Sequence, residues 1–324
     1  MPDRPDPTSR RRFLAQTGSC AAHLALASAF LPPSLRHRWT ARTMGRVVAA
    51  EPWGRIEEIG PGLWAMVSTP LSGDFTTVSN GAIIAGRSAV LVIEGLMQPK
   101  GATWLAEQAR TLTGRWPTHV MVTHYHSDHI NGVAGYFAEG ARPAIWTTAT
   151  TRDWALEKNQ ADEQRNELLK SVVSVDPATA TTIDLGGRKV TLVPRTGHTR
   201  SDLTAVVEDP RVVFAGDLLW NGMFPNYVDA APSTLARSVR SLESKGALYV
   251  PGHGPLARDP EVKRYRDMLD EVERAAKAAR KQGLSAADGA KAYRLPESLG
   301  EWTLFNPRFI ETAFGAWYRE LDAK

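Results

Sequence analysis

The sequence predicts an α/β fold whose β-sheets are at least partly antiparallel. Short apolar or alternating runs bounded by Gly, Asn and Pro predict strands, and longer stretches with apolar residues at helical spacing predict helices. The strands come in meandering groups with helices between them, which favours mixed sheets. With 324 residues, 43% of them hydrophobic and 23% charged, the chain has the composition of a globular protein with a sizeable core.

The first 29 residues predict a twin-arginine export signal. Arg10, Arg11 and Arg12 precede Phe13 and Leu14, and a mildly apolar, Ala-rich run follows and ends in small residues. A basic, disordered terminus is the alternative. A membrane-spanning helix is disfavoured because the run is short and only weakly apolar. The expected location is therefore the periplasm or the cell exterior, without a stable membrane anchor.

Charge and cysteine content limit the partners of the mature chain. Removing residues 1–29 takes away four arginines and two aspartates, which lowers the formal net charge from +4 to +2. Residues 30–52, with prolines and scattered arginines, predict a linker. The body has no basic stripe, so nucleic acid is not an expected partner, whereas a small-molecule substrate is. The only cysteine, Cys20, lies in the leader, so no disulfide is expected.

The elements of the body follow in order. Predicted strands cover 62–69, 80–86, 89–95 and 119–126, then a hairpin over 180–194, then strands at 202–209 and 211–220 and a strand with its loop at 247–255. Predicted helices cover 101–112, 151–173, 231–244, 260–281 and 307–322. The Gly-Gly pair predicts the turn of the hairpin, and Ser233 or Thr234 is the candidate cap of the helix over 231–244.

The segment THYHSDHING, residues 123–132, is the strongest chemical signal. Three histidines and an aspartate fall within six positions directly after an apolar run. Side chains alternate along a strand, so His124 and His126 project to one side, and the SDHING turn is needed to bring Asp128 and His129 to the same cleft. Two imidazoles suit zinc or iron, and a carboxylate with a third imidazole can begin a second metal site.

Three further residues repeat this placement. His198 lies in RTGHTRSD and His253 in VPGHGPL, each in a Gly-containing loop after an apolar strand, and Asp217 ends the strand FAGD. Each by itself is also typical of a hydrogen-bonded loop residue. Together with the His-rich segment they favour a shared metal site.

These motifs resemble the metallo-β-lactamase superfamily. His-x-His-x-Asp-His, Gly-His-Thr, a strand-end Gly-Asp and Gly-His-Gly match it in order over about residues 60–260. The resemblance implies a four-layer αβ/βα sandwich, with two mixed sheets face to face, helices outside and metals at one edge. It divides the mature chain into a hydrolase domain over 53–260 and a C-terminal helical extension over 261–324 that packs on the same domain.

The resemblance also implies a ligand set. It assigns His124, His126 and His198 to the first metal, Asp128, His129 and His253 to the second, and Asp217 as the bridge between them. Two zinc ions are the expected cofactors, with iron or manganese as alternatives. Two cations that share a water lower its pKa, so that hydroxide attacks a small ester, thioester, lactone or lactam. Asp128 is the catalytic candidate because it can hold or accept a proton.

Two positions differ from those of other superfamily members, and one of them limits the expected class of substrate. Asp217 stands where its true β-lactamases have cysteine or serine, so the site looks like those of glyoxalase II, lactonases and related ester hydrolases. Glu94 stands where the superfamily usually has aspartate. Candidates to orient the ligands are Thr123, Ser127, Thr199 and Asp202. Candidates to contact substrate are Trp220, Asn221, Phe224, Tyr227 and Arg200, with packing or surface roles as the alternative.

Two other functions remain open at this stage. One is an iron-dependent sulfur oxidoreductase of the same fold, which the complete second ligand set disfavours. The other is a non-catalytic metal-binding accessory protein of a periplasmic pathway, since the C-terminal segment looks like the tail of exported members associated with quinoprotein relay systems. A phosphodiesterase is disfavoured by the near-neutral body.

Overall fold

A computed structural model describes residues 43–70, 73–158, 162–242 and 246–323. The predicted export signal over 1–29 and residues 30–42 of the predicted linker lie outside these residues. The linker predicted over 30–52 extends too far, because Arg46–Glu51 forms a strand that pairs antiparallel with Gly54–Gly60. Within the described parts of the chain, no helix is long and apolar enough to cross a membrane.

The first sheet has eight strands, which lie side by side in chain order. They are β1 Arg46–Glu51, β2 Gly54–Gly60, β3 Leu63–Ser68, β4 Gly81–Ala85, β5 Val90–Ile93, β6 His119–Met121, β7 Ala144–Thr148 and β8 Val173–Val175. Neighbours from β1 to β5 pair antiparallel, and neighbours from β5 to β8 pair parallel. The sheet is therefore mixed, as the meandering strand pattern predicts.

The second sheet has five strands in the order β13-β12-β11-β10-β9. They are β9 Thr181–Asp184, β10 Lys189–Arg195, β11 Asp202–Val207, β12 Val212–Trp220 and β13 Leu248–His253. Only β12 and β13 pair parallel. The predicted hairpin is β9–β10, and its Gly186-Gly187 turn has φ values of 88° and 86°, a region that glycine adopts without strain.

Helices cover the outer faces of both sheets. They are α1 Pro99–Thr113, α2 Ser127–Ile130, α3 Ala149–Lys158, α4 Glu163–Leu169, α5 Pro232–Leu242, α6 Asp259–Lys281, α7 Ala286–Ala292 and α8 Phe309–Asp322, with 3-10 segments at Val133–Gly140 and Glu297–Leu299. The single helix predicted over 151–173 is wrong, because α3 and α4 are separate and β8 follows. Asp162 begins α4 by accepting a hydrogen bond from the Arg165 backbone N–H.

Alternating side chains divide the core into layers. In β3, Leu63, Ala65 and Val67 face the second sheet, whereas Trp64 and Met66 pack toward α1. A separate cluster fills the space between the second sheet and α5, α6 and α8. The order helix, sheet, sheet, helix is the predicted four-layer αβ/βα sandwich.

The C-terminal segment packs against the loop that follows β12. The Phe224 backbone N–H donates to Thr303 O at 2.9 Å, and the Thr303 backbone N–H donates to Gly222 O at 3.0 Å. The ring centroids of Phe305 and Trp220 lie 6.3 Å apart, edge to face. The end of the chain is therefore part of the same packed body.

Candidate metal centre

All seven predicted ligands lie at one edge of the two sheets. Each of two groups has its ligand atoms within 4.8 Å of one another. The first group contains His124, His126, His198 and Asp217, and the second contains Asp128, His129 and His253. The fold thus brings together residues that lie far apart in the sequence.

The His-rich segment lies beyond β6, which ends at Met121. The prediction that His124 and His126 belong to the strand is therefore wrong, although both side chains do reach one cleft. Helix α2 begins directly after His126, and the backbone N–H of His129 donates to His126 O at 3.0 Å. This tight turn brings Asp128 and His129 back beside the first two histidines.

Asp217 lies within β12 rather than at its end. Gly216, directly before it, has φ of 51°, and the register of β12 against β13 shifts at this point. Gly252 of β13 lies against the carboxylate, since a Cβ there would come 1.9 Å from Asp217 Oδ1. Glycine at 252 is therefore a steric requirement for the position of this carboxylate.

The first group surrounds a single point. His126 Nδ1 lies 3.1 Å from His124 Nε2 and 3.0 Å from His198 Nε2. Asp217 Oδ2 closes the group at 3.2 Å from His198 Nε2 and 3.8 Å from His124 Nε2. Three imidazole nitrogens and one carboxylate oxygen thus face one another.

The second group shares Asp217 through its other oxygen. Asp217 Oδ1 lies 3.2 Å from His129 Nε2 and 3.3 Å from His253 Nε2. Asp128 Oδ2 lies 3.5 Å and 3.2 Å from the same two nitrogens. The two groups therefore meet at one carboxylate.

The donor atoms have the chemistry and spacing that a metal ion requires. Two ligand atoms about 2.1 Å from a tetrahedral ion lie about 3.4 Å apart, and the contacts in both groups span 3.0–3.8 Å. His129 Nε2 and Asp217 Oδ1 are buried, and neither atom has a hydrogen-bond partner among the described residues. A buried polar atom without a partner is costly unless another partner, such as a metal ion, is present. Imidazole and carboxylate donors suit zinc and similar transition metals, so the groups fit metal ions.

Glu94 reaches the site in spite of its longer side chain. Its Oε1 accepts a hydrogen bond from Thr123 Oγ1 at 2.6 Å and lies 3.0 Å from His129 Nδ1. Thr123 Oγ1 also lies 2.9 Å from His124 Nδ1. The backbone of Glu94 has φ of 78°, an unusual value for a non-glycine residue. One buried carboxylate thus supports histidines of both groups.

Asp229 and Lys158 were not predicted. Asp229 Oδ2 lies 3.0 Å from His126 Nε2 and accepts a hydrogen bond from Lys158 Nζ at 3.0 Å. A carboxylate on the outer nitrogen fixes the orientation of a metal-binding imidazole. Neither residue lies in a His-rich or Gly-rich motif, so only the fold reveals them.

Hydrogen bonds to the Asp202 carboxylate stabilise the loop that carries His198. Its carboxylate accepts hydrogen bonds from the backbone N–H groups of His198 and Thr199 and from Thr199 Oγ1. Burial raises the pKa of Asp202 to about 6, against the opposing effect of these donors. Thr199 and Asp202 therefore hold the backbone of this loop, so they act on the His198 imidazole indirectly, and Ser127 is the first residue of α2.

Burial and neighbouring charges lower the pKa values of two histidines in the first group. Burial, together with the neighbouring imidazoles of His129 and His126, holds the pKa of His124 well below its usual range. Burial also lowers the pKa of His126, although Asp229 opposes this. Neutral imidazoles with free nitrogen lone pairs are the form that binds metal.

The second group has the opposite balance when no metal is bound. Burial lowers the pKa of His253, but Asp217 and Asp128 outweigh it and raise the value to about 9. Burial also lowers the pKa of His129, but Asp217, Glu94 and Asp128 outweigh it and raise the pKa well above its usual range. Burial raises the pKa of Asp128, yet His129 and His253 bring it down to about 2. Metal must therefore displace protons here.

The predicted substrate contacts have mixed outcomes. Phe224 and Tyr227 are fully buried in the core, and Asn221 donates its side-chain amide to the backbone of Leu256, so these three have packing roles. The centroid of the Trp220 ring lies 4.0 Å from that of the His253 ring, so Trp220 packs against this predicted ligand. Arg200 alone is exposed, with its guanidinium 5.0 Å from the centre of the Trp154 ring.

Comparison with known proteins establishes the family. The profile of the metallo-beta-lactamase superfamily matches residues 76–253, more than half of the chain. The chain therefore belongs to the metallo-beta-lactamase superfamily, which confirms the resemblance found in the motifs.

Two relatives illustrate the range of the family. A hydroxyacylglutathione hydrolase from Acidiphilium cryptum (strain JF-5) is 28% identical over 256 residues, which cover 76% of this chain and 95% of that protein. A metallo-beta-lactamase type 2 from Bacillus sp. (strain 170) is 22% identical over 208 residues, 62% of this chain and 76% of that protein. With the ligand groups, these similarities support a metal-dependent hydrolase.

Solved structures confirm the fold. A metallo-beta-lactamase from Erythrobacter litoralis gives a TM-score of 0.54 at 19% identity, covering 70% of this chain and 100% of that one. The sec-alkylsulfatase Pisa1 from Pseudomonas sp. gives a TM-score of 0.63 at 14% identity, covering 93% of this chain and 61% of that one. Both likenesses concern the fold alone.

Proposed function

We propose that this chain is an exported, dinuclear metal-dependent hydrolase of small carbonyl substrates. The observation that carries the proposal is the position of Asp217, whose two carboxylate oxygens face different ligand groups. A carboxylate so placed is suited to link two ions. Zinc is the expected metal because all other ligands except Asp128 are histidines.

Two bound divalent cations supply a Lewis acid and lower the pKa of water, which allows hydrolysis near neutral pH. The chain's own residues hold and orient the ligands. Asp229 and Glu94 fix His126 and His129 through their outer nitrogens. Asp128, whose side chain is 18% exposed, is proposed to hold the proton that moves during hydrolysis.

Esters, thioesters and lactones are favoured over β-lactams as substrates. Asp217 occupies the position where the β-lactamases of the family have another residue type. Of the two relatives described above, the hydroxyacylglutathione hydrolase has the greater identity and coverage. Both observations support an acyl group joined through oxygen or sulfur.

The decisive experiment measures metal content and turnover together. The mature protein is analysed for bound metal and assayed with a thioester, a lactone, a β-lactam, 4-nitrophenyl valerate and 4-nitrophenyl hydrogen glutarate. His126→Ala and Asp217→Ala are expected to lose bound metal and activity together. Full occupancy in either variant contradicts the ligand assignment, and a metal-loaded protein that turns over no substrate supports the accessory-protein alternative.

The proposal that this protein is exported rests on its first 29 residues alone. The order of arginines, apolar run and small residues in residues 1–29 supports a twin-arginine signal and a periplasmic or extracellular location. The substrate would then be a small molecule of that compartment.

A further inference from the structure

Four aromatic and basic side chains, Tyr125, Trp154, Lys158 and Arg200, form a cluster beside the first ligand group, which we call the indole rim. The Tyr125 and Trp154 rings stack with centroids 5.2 Å apart and planes inclined by 26°. Tyr125 is flanked in sequence by two ligands, and its ring lies 5.1 Å from that of His126. The indole rim therefore borders the metal centre directly.

Lys158 forms an ion pair with Asp229. Its Nζ lies 4.7 Å from the centre of the Tyr125 ring and 4.8 Å from that of Trp154, and it donates to Asp229 Oδ2 at 3.0 Å. Asp229 holds His126 in turn. The charge of Lys158 is thus balanced within the chain, and its role is to position Asp229.

Arg200 differs because no carboxylate of the described residues balances its charge. Within the described parts of the chain it forms no ion pair, and its one ring contact places the guanidinium 5.0 Å from the centre of the Trp154 indole. Stacking on an indole restrains a guanidinium while its N–H groups stay available. The side chain is exposed and directly follows the loop residues His198 and Thr199.

Buried hydroxyl contacts hold the two parts of the indole rim together. Thr151, in the first turn of α3, donates to Ser201 O at 3.2 Å, and Thr148 Oγ1 contacts Ser201 Oγ. These contacts tie the start of α3, which carries Trp154, to the loop that carries Arg200. The position of the cation is therefore set by the fold and not by a flexible side chain alone.

We propose that Arg200, seated on Trp154, binds a carboxylate of the substrate that lies away from the scissile carbonyl. The inference rests on the proposed hydrolase function and names its substrate class, acyl compounds that carry a free carboxylate. A guanidinium fork matches a carboxylate with two parallel hydrogen bonds. A phosphate dianion would require a second unbalanced cation, and Lys158 is paired with Asp229.

The test compares two esters with the same leaving group and opposite end groups. 4-Nitrophenyl hydrogen glutarate carries the carboxylate, and 4-nitrophenyl valerate replaces it with a methyl group. The ratio of their kcat/KM values is expected to fall about tenfold in Arg200→Ala, as for the loss of a hydrogen bond to a charged group. Arg200→Lys, which keeps the charge but not the fork, is expected to give an intermediate ratio.

Arg142→Ala is the matched control, since it removes one exposed arginine whose side chain, among the described residues, donates a hydrogen bond to Ala141 O and forms no ion pair. Arg142 precedes β7 and so lies at the amino end of the parallel strands, away from the ligands. The wild-type ratio is expected to persist in this variant. An Arg200→Ala ratio equal to that of the wild type overturns the inference while leaving the hydrolase function intact.

A binding measurement separates the two proposals. Calorimetry with zinc-loaded protein is expected to show tighter binding of glutarate than of valerate in the wild type and in Arg142→Ala. The preference is expected to be lost in Arg200→Ala. A glutarate preference that depends on Arg200 without turnover of either ester supports the anion site and contradicts the hydrolase function. Equal binding of the two acids by the wild type overturns the inference.

Discussion

Glu94→Gln tests whether the buried carboxylate behind the histidines sustains the metal centre. The side chain is 2% exposed, and it accepts hydrogen bonds from Thr123 Oγ1 and the Thr123 backbone N–H at 2.6 and 3.3 Å. The substitution keeps the shape, removes the charge and places an amide where a carboxylate faces His129 Nδ1. The effect is therefore electrostatic and orientational, with little change in volume.

Two magnitudes follow from these contacts. A hydrogen bond to a charged group contributes about 1.5–3 kcal/mol, so the variant is expected to lose about 2 kcal/mol of unfolding free energy. Disturbing the outer partner of a metal-binding histidine weakens metal binding about 10–100-fold. Since Glu94 also raises the pKa of His129, the zinc affinity is measured near pH 8, where proton competition is weaker than at neutral pH.

The assay is competition with a chelator of known zinc affinity, accompanied by denaturant unfolding. Glu57→Gln is the matched control, because Glu57 of β2 is equally buried and lies away from the ligands. It accepts hydrogen bonds from Arg55 Nε and from the backbone N–H groups of Met44 and Gly45, which directly precede β1. This substitution is expected to lower stability without changing zinc affinity. Unchanged zinc affinity in Glu94→Gln would refute the assigned role of this carboxylate.

Four further predictions follow, three from the geometry of the site and one from the leader sequence. Gly252→Ala is expected to lower metal content sharply, because the added Cβ would lie 1.9 Å from Asp217 Oδ1. Gly315→Ala, in α8, is the control: its Cβ would meet Arg319 Nη1 at 3.8 Å, so this variant is expected to keep its metal and to gain up to about 1 kcal/mol of helix stability. Metal analysis and thermal unfolding distinguish the two variants. Zinc binding near neutral pH is expected to release protons from His129 and His253, measured by calorimetry in buffers of different ionisation enthalpy. Because the pKa of His253 is raised to about 9, its contribution to metal-free stability is complete below the unfolded value of about 6.5 and is lost as the pH rises through 9; a metal-free stability that rises over that range would contradict this sign. Replacing Arg10 and Arg11 by lysine is expected to leave the protein in the cytoplasm, and cell fractionation that finds it exported as before would remove the twin-arginine assignment.

The clustering of the seven predicted ligands could be anticipated from the sequence because metal chemistry restricts residue types strongly. Histidines in Gly-containing loops after apolar strands have few other uses in such numbers, and the order of the motifs matched that of the superfamily. The sequence did not reveal Asp229 or Lys158, since a carboxylate and an amine on surface-like segments are common and only the fold brings them to His126.

Three features were missed or misplaced, each for a different physical reason. β2 has the sequence GRIEEIG, whose charged residues disguise a strand, yet Arg55 and Glu57 are buried together as an ion pair. The break between α3 and α4 depends on Asp162, a capping residue inside a stretch of helical composition. The predicted caps Ser233 and Thr234 failed because α5 begins at Pro232, whose fixed φ suits the first helical position.

The backbone pairing of Thr303 with the loop after β12, and the Phe305 ring 6.0 Å from that of His253, have a consequence for biogenesis. Both sheets are complete in sequence by residue 253, well before the support for this imidazole has been synthesised. A chain cut before residue 303 would therefore contain every strand of both sheets but would lack one wall of the ligand cluster.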